Sequence, residues 1–470
     1  MSEPFDIIVI GSGPGGYIAA LKGAQLGAKV AVVEQGLLGG TCLNVGCIPS
    51  KALLASAELL HRIGRASELG VTVSGTVGFD WAKIQSRKDK VLSALRGGVK
   101  GLFDSRKVTL VRGRGRLAGK GKVAVASDAG TQELAAKNVI LAVGSTPARI
   151  PGWPTDGGVV CTSDEALHWK ELPARLLIVG GGVIGCEFAC MMAQYGVRVM
   201  VVEMLPALLP EMEPQFGAHL AGVFAKRGIE VLVGAKVEDL SVADGRATAV
   251  VSGGKTVEAD KVLVATGRRP ATAEIGLETI GLETDRGFVR VNDRMETKTK
   301  GVYCIGDANG RCLLAHAASA HGVTAVENAL GHKTEFAAPV PNCVYTFPEI
   351  GSVGLTTKQA REQGVPVSLG VFPLGHLGKA LAVGETDGWV KVLRGRDDGR
   401  LLGVHVLGDR ATDVIAAAGA MLHQKVGAKE FAEVVFAHPT FSEALKEAAE
   451  DSFQAALHLP PRKVVRVAAE

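Results

Sequence analysis

Two stretches of this sequence follow one plan, and that repeat limits the fold more than any other feature. Residues 5–10 are a short apolar run, followed by Gly11-Ser12-Gly13-Pro14-Gly15-Gly16 and a small-residue stretch that reads as a helix from Tyr17. A second apolar run over 29–33 then ends at Glu34. The plan recurs at 176–179, followed by Gly180-Gly181-Gly182-Val183-Ile184-Gly185, a helical stretch, and a run over 198–202 ending at Glu203. In both copies the acid lies 18 residues after the last motif glycine, Gly16 or Gly185. Each copy closes with an apolar run into glycine, 139–144 at Gly144 and 261–267 at Gly267. A lone Gly-x-Gly-x-x-Gly is weak evidence, but strand, glycines, helix and distant acid in this order form a dinucleotide-binding βαβ unit. The glycines permit a tight turn and let a pyrophosphate sit against the helix N-terminus, where free N–H groups and the helix dipole favour negative charge. Glu34 and Glu203 would each accept hydrogen bonds from a ribose. A carboxylate at Glu203 also repels a 2′-phosphate, so the second site should prefer NAD to NADP.

Two dinucleotide sites in one chain imply electron transfer between two carriers, a held flavin and an exchangeable nicotinamide. The expected fold is α/β, with two Rossmann-like dinucleotide-binding domains and a C-terminal α+β domain. A Gly-, Pro- and polar-rich stretch over 153–173 reads as the boundary between the copies. Beyond 267 come loops and short strands, with 303–308 as a strand ending in a polar turn and a helix from about His316. From Cys343 the pattern alternates as strands (367–372, 389–392, 401–406), with helices over 412–423 and 442–456. The expected division is 1–150, 151–270, a return to the first domain over 271–341, and 342–470.

The formal charge of +4 over 470 residues gives no electrostatic reason to expect nucleic acid or membrane binding. The most apolar stretch, 176–197, is broken by glycines and Glu187, so it reads as a buried strand, turn and helix. The first six residues hold two acids and no Lys or Arg, unlike a secretory signal, and a cytoplasmic location is expected. Eight cysteines over this length make no disulfide scaffold, and no spacing among them suits a metal site.

One cysteine pair stands out. Cys42 and Cys47 follow Gly39-Gly40 and precede Pro49-Ser50-Lys51, directly after the first nucleotide unit. Taken alone, two such thiols are more often inert core residues. Beside a flavin-type unit they read as a redox pair, with a helix N-terminus and the Lys51 cation favouring the reactive thiolate. Thiol exchange also needs a base, and His438-Pro439-Thr440-Phe441-Ser442-Glu443 offers an imidazole with a carboxylate five residues on. His316, His321, His376 and His405 have no comparable partner nearby in the sequence and read as structural. Cys186, Cys190, Cys304, Cys312 and Cys343 read as core thiols.

From residue 6 to about 456 the chain resembles the pyridine nucleotide–disulfide oxidoreductases, and within them the dihydrolipoamide-oxidising branch. The most specific piece is Gly39-Gly40-Thr41-Cys42-Leu43-Asn44-Val45-Gly46-Cys47-Ile48-Pro49-Ser50-Lys51. The resemblance implies tightly bound FAD, one per subunit, exchangeable NAD, and oxidation of protein-bound dihydrolipoyl groups through a Cys42–Cys47 disulfide. It assigns Cys47 to the flavin side and Cys42 to the substrate side, and pairs Lys51 with Glu187 beside the flavin ring. It places Asp307 at the polar chain of FAD and Ala315 at the isoalloxazine. Thr41, Gly115, Gly144, Val237 and Gly267 complete the expected cofactor contacts, beside Gly11, Gly13, Gly16, Gly180, Gly182 and Gly185. His438 and Glu443 match the family's base dyad, which comes from the partner subunit, so a homodimer is implied. The partner in turnover would be a lipoyl-bearing acyltransferase or an H-protein-like carrier. The sequence departs from the family at Ala142-Val143-Gly144, at the Ala-Ala-Ser-Ala-His helix after His316, and at Phe441. Another flavoprotein disulfide reductase, for glutathione or mercuric ion, is the nearest alternative; a non-catalytic redox-sensing flavoprotein is a more distant one.

Overall fold

The structure is a computed structural model that describes residues 3–154, 157–461 and 465–467. Met1, Ser2, Thr155 and Asp156, the last two inside the expected 153–173 boundary, lie outside the described residues.

The run Phe5–Ile10 becomes a central parallel strand, with Val30–Glu34 on one side and Gly130–Leu141 on the other. Ile7, Ile8 and Val9 have no exposed surface, as expected of a strand covered on both faces. The helix that follows is Pro14–Gln25, three residues earlier than Tyr17. Pro14 can open it because its φ already suits a helix and its missing N–H is not needed there. The chain later returns to this sheet, where Val302–Cys304 pairs with Gly130–Leu141. That return lays the helix Ala315–Ala329 on Pro14–Gln25, so close that a Cβ on Gly322 would stand 2.5 Å from the Gly15 carbonyl oxygen.

The second unit repeats this arrangement, with Arg175–Val179 between Arg198–Glu203 and Lys261–Val264 in a five-stranded sheet. The stretch expected as a boundary is part of this sheet. Val160–Cys161 pairs with Lys261–Val264 at its edge, and the helix Ser163–Ala166 opens on a capping box of Thr162 and Glu165. The polar composition that reads as linker is therefore partly capping chemistry. A two-stranded ribbon, Ser145–Pro147 with Arg268–Pro270, joins the two units. The long helix Trp81–Ser105, capped by Asp80, has no counterpart in the sequence reading.

The C-terminal part is a six-stranded sheet that includes Glu349–Gly354, Val367–Pro373, Trp389–Gly395 and Leu401–Gly408, with helices Ala411–His423 and Glu443–Asp451 packed on it. The last helix ends at Asp451 rather than 456, and the left-handed Gln454 (φ +65°) turns the chain away. Phe441 lies in this core. His405, read as structural with no partner nearby in the sequence, is a structural residue whose partners come from distant segments. It is fully buried, bonds Ser352 Oγ and the Leu355 carbonyl, and lies 3.9 Å from Glu213. Lys391 binds the same carboxylate at 2.6 Å, so a buried Glu213–Lys391–His405 cluster ties the second nucleotide unit to the C-terminal sheet. Glu213 is 192 positions from His405, beyond the reach of any local pattern.

Candidate active site

The two acids of the repeat sit where their strands end, each buried and each held by backbone N–H groups. Glu34 accepts from Ser12 N (2.9 Å), Ser12 Oγ (2.7 Å) and Gly36 N (2.7 Å). Glu203 accepts from Gly181 N (2.6 Å) and Leu205 N (2.7 Å). The carboxylates are thus oriented before any ribose arrives. The helices Pro14–Gln25 and Val183–Gln194 begin at Gly13 and Gly182 with no side-chain cap and no acid in the first turn, which leaves their N-termini suited to an anion. Gly11 and Gly180 are left-handed (φ +101° and +112°), and a Cβ on either would stand 2.4 Å from a strand-end carbonyl, of Ala142 or Ala265. Gly16 and Gly185 meet the carbonyls of Gly11 and Gly180 in the same way, at 2.0 and 1.9 Å. The residues present therefore fit two dinucleotides.

The remaining expected contacts surround these turns. Gly115 leaves room for Val33 and Ile10, where a Cβ would come within 2.9 and 3.1 Å. Gly144 (φ +70°) and Gly267 (φ +114°) lie three residues past their strands, and a Cβ on either would meet nothing within 4 Å. Val237 starts a strand two residues after Ala235, whose N–H binds the Glu203 carbonyl. Asp307 accepts from Ser145 Oγ at 2.5 Å, and Ser145 Oγ accepts from Arg268 Nε at 2.7 Å. Ala315 is the first residue of its helix.

Cys42 lies in the short helix Gly40–Val45, and Cys47 opens the helix Cys47–Gly64. Between them Gly46 is required by crowding, since a Cβ there would stand 3.0 Å from the Thr41 carbonyl oxygen and 3.2 Å from Cys42 Cα. Asn44 fastens the turn by donating to the carbonyls of Leu38 (3.0 Å) and Gly40 (2.9 Å), while Arg96 donates to its Oδ1. Both cysteines are free thiols. Cys47 is exposed, and the hydrogen bond from Cys42 brings it down to about 7, with the Lys51 charge adding to the effect. The same bond, with burial, pushes Cys42 far up. The first proton therefore leaves Cys47. Lys51 Nζ meets Glu187 at 2.7 and 2.9 Å and lies 4.3 Å above the Tyr345 ring, whose backbone N–H donates to Glu187 Oε1. The cysteine helix also packs into the core of the second unit, with Tyr195 Oη donating to the Leu53 carbonyl at 2.8 Å. Cys47 thereby opens the element that joins the two nucleotide units, and Cys42 sits just before it.

His438 Nδ1 meets Glu443 Oε1 at 2.8 Å, and the other carboxylate oxygen accepts from Thr440 N at 2.8 Å. Burial raises Glu443, but the Thr440 N–H and His438 outweigh it and hold the carboxyl below its usual range. Among the described residues no hydrogen bond or ion pair joins this dyad to Cys42 or Cys47. The dyad helix packs in a core separate from the core that takes in the cysteine helix. Cys186, Cys190 and Cys304 are buried as expected, but Cys312 and Cys343 are only partly buried. Cys312 lies in the turn before the helix Ala315–Ala329, and Cys343 in an edge strand of the C-terminal sheet. Ser145, Arg268 and the pair Glu447–His458 had no sequence signal, because their partners come from other segments.

Comparison with known proteins agrees with this layout. Residues 5–322 match the family described as pyridine nucleotide-disulphide oxidoreductase, and residues 340–449 match its dimerisation domain. The chain is 40% identical to the dihydrolipoyl dehydrogenase of Bacillus subtilis, covering 97% of this chain and 100% of that one. It is 41% identical to the dihydrolipoyl dehydrogenase of Chlorobaculum tepidum, covering 97% and 98%. Among solved structures it is similar to LpdA of Mycobacterium tuberculosis, with a TM-score of 0.88, 28% identity, and 94% and 99% of the two chains covered. It is also similar to the HOCl-induced flavoprotein disulfide reductase RclA of Escherichia coli, with a TM-score of 0.83, 26% identity, and 95% and 99% covered.

Proposed function

The chain belongs to the pyridine nucleotide–disulphide oxidoreductases, and from that premise we propose that it oxidises protein-bound dihydrolipoyl groups to lipoyl groups and reduces NAD⁺ to NADH. The observation that carries this reading is the Cys42–Cys47 pair beside Lys51–Glu187, with Cys47 opening a helix that packs on both nucleotide units, in a chain about 40% identical to dihydrolipoyl dehydrogenases over nearly its whole length. FAD, held by the first unit, supplies a two-electron carrier between thiols and nicotinamide. Glu34, Asp307 and the Gly11–Gly16 turn would hold it, and Glu203 with the Gly180–Gly185 turn would hold NAD.

Turnover starts with Cys42 and Cys47 as a disulfide. His438, oriented by Glu443, takes the proton of one dihydrolipoyl thiol. The resulting thiolate attacks Cys42 Sγ, the Cys42–Cys47 bond breaks, and Cys47 leaves as a thiolate. The second substrate thiol then attacks the substrate sulfur of the mixed disulfide. That closes the lipoyl ring, breaks the bond to Cys42 and releases Cys42 as a thiol, which takes up the proton of the second substrate thiol. The dithiol is oxidised, the protein disulfide is reduced, and Cys47 keeps the negative charge in the position that Lys51 and Cys42 favour.

The base reaches the thiols from a second copy of the chain in this reading, so the working form is a homodimer. The match of 340–449 to a dimerisation domain supports it, as do the exposed apolar side chains Val435 and Leu457, which are 93% and 82% exposed near the dyad. The four-part division 1–150, 151–270, 271–341 and 342–470 is part of this reading, and the return of Val302–Cys304 to the first sheet supports it. The lipoyl group arrives on a separate acyltransferase or H-protein-like carrier. No helix of the described residues is long and apolar enough to cross a membrane, and a cytoplasmic enzyme fits this reading. Steady-state assay of the flavin-loaded protein with dihydrolipoamide and NAD⁺, against glutathione disulfide and NADPH, tests it. Turnover confined to the first pair, and lost in Cys47→Ser, is expected. Preference for the second pair would overturn the reading.

A further inference from the structure

The helix Glu443–Asp451 carries a second imidazole–carboxylate pair, one turn beyond the first. Glu443 and Glu447 are four residues apart and so share one face of that helix. Glu447 is buried at 8% exposure, and its two oxygens meet His458 Nδ1 at 2.7 Å and His458 N at 3.3 Å. The turn after the helix thus folds back to bring an exposed imidazole onto a buried carboxylate beside the base dyad. Nothing in the proposed chemistry uses this pair.

We propose that His458 is a positioning residue that neutralises Glu447 and keeps its charge from adding to that of Glu443 at the base dyad. The inference rests on the reading of His438 as the base that takes the dihydrolipoyl proton. A bare carboxylate one turn from Glu443 would add its field to the dyad and favour protonated His438, which accepts no proton. A protonated His458 cancels that field. The Glu447 hydrogen bond and charge raise His458, with Glu450 and Glu443 adding to them, so the imidazole is held in its charged form more readily than a free one. Glu450 is in turn met by Lys446 at 3.8 Å. Of the elements packed on the helix, Val367–Pro373 carries no charge, Trp389–Gly395 supplies Lys391, which binds Glu213, and Arg394, which donates to Ser452 O beyond the far end of the helix, and the short helix Ala428–Ala432 supplies Lys429 and Glu430. The carboxylates that raise His458 are Glu447, Glu450 and Glu443, all on the helix that precedes it.

The test is the pH profile of kcat/KM for dihydrolipoamide oxidation by the flavin-loaded dimer, in the parent, His458→Gln, and His458→Gln/Glu447→Gln proteins. In His458→Gln the acidic limb should move to higher pH by about half to one unit, the size expected of one charge several ångströms away at a part-exposed site. The double variant, in which both charges are gone, should bring the limb back. A packing role alone would lower activity or thermal stability in both variants without moving the limb. An unmoved limb in an active His458→Gln protein, or a double variant displaced as far as the single one, would overturn the proposal. His438→Gln separates the two levels of argument. If it keeps full activity and the same acidic limb, the assignment of the base fails and takes this inference with it. If it loses the limb while His458→Gln leaves it in place, only the inference fails.

Discussion

The two nucleotide units share strand, turn, helix and acid, yet they differ in what lies over the turn. In the first, Gly40 of the cysteine segment presses on Gly13 so closely that a Cβ on Gly40 would stand 2.6 Å from Gly13 Cα. The returning helix Ala315–Ala329 closes the other side, where a Cβ on Gly15 would stand 2.8 Å from the Ala318 carbonyl oxygen. In the second unit, a Cβ on Gly182 would meet nothing within 4 Å. The acids differ in the same sense, since Glu34 takes three donors and Glu203 two. One fingerprint is enclosed by the rest of the chain and the other stands open. That is the arrangement expected of a cofactor that stays and one that leaves in each turnover.

Substitutions can break or sharpen that contrast. The largest effects should fall where the units are alike. Gly16→Ala and Gly185→Ala each drive a Cβ into a backbone carbonyl at 2.0 and 1.9 Å. Each should cost about 3 kcal/mol or prevent folding, read as loss of the thermal transition. The contrast appears next. Gly40→Ala meets both the Gly13 backbone and a left-handed φ of +59°, and should cost about 2–3 kcal/mol and release the flavin, read from the ratio of flavin to protein absorbance. Gly182→Ala should leave flavin content at the parent level and raise only the KM for NAD⁺. Equal flavin loss in the two would end the distinction.

Ser12→Gly gives the first unit the donor set of the second. It removes the 2.7 Å hydroxyl bond to Glu34 and should weaken FAD binding by about 1–1.5 kcal/mol, or roughly tenfold, in reconstitution of the apoprotein. The converse, Gly181→Ser, is blocked, because its Cβ would stand 2.5 Å from Leu208 Cδ2. The smallest effect concerns the thiols that follow only the first unit. In the reduced protein, thiolate absorbance near ~240 nm that is absent from Cys47→Ser should grow as pH rises through about 7. Because the pKa of Cys47 is lowered, its thiolate is present above that pH and lost below it. Cys42→Ala removes the first of its stabilising partners and should move the midpoint up by roughly half a unit. A midpoint that stays put would mean that Lys51 alone holds the thiolate.

Much of the core of the site was legible from residues close together in the chain. Ser12 and Glu34 meet within one βαβ unit, Cys42 and Cys47 across a single turn, and His438 and Glu443 at the start of one helix. Over 153–173 composition read as a boundary, yet Val160–Cys161 joins the second sheet there and Thr162 and Glu165 cap the helix that follows it. His405 looked unpartnered because its carboxylate neighbour lies in another domain.

The sequence by itself determined the duplicated nucleotide units, the positions of their acids, the thiol pair and the His438–Glu443 pair. All of these are set by chain geometry over a few turns. The tertiary structure decided that Lys51 meets Glu187 across 136 residues, which family resemblance could name but spacing could not. It decided that Arg268 and Ser145 reach Asp307, that Glu213 lies between Lys391 and His405, and that His458 folds back on Glu447. It also decided which fingerprint is enclosed. The physical reason is common to all of these. A buried charge needs a partner that its own segment cannot supply, and only the packing of one sheet and helix layer on another brings that partner within hydrogen-bond reach.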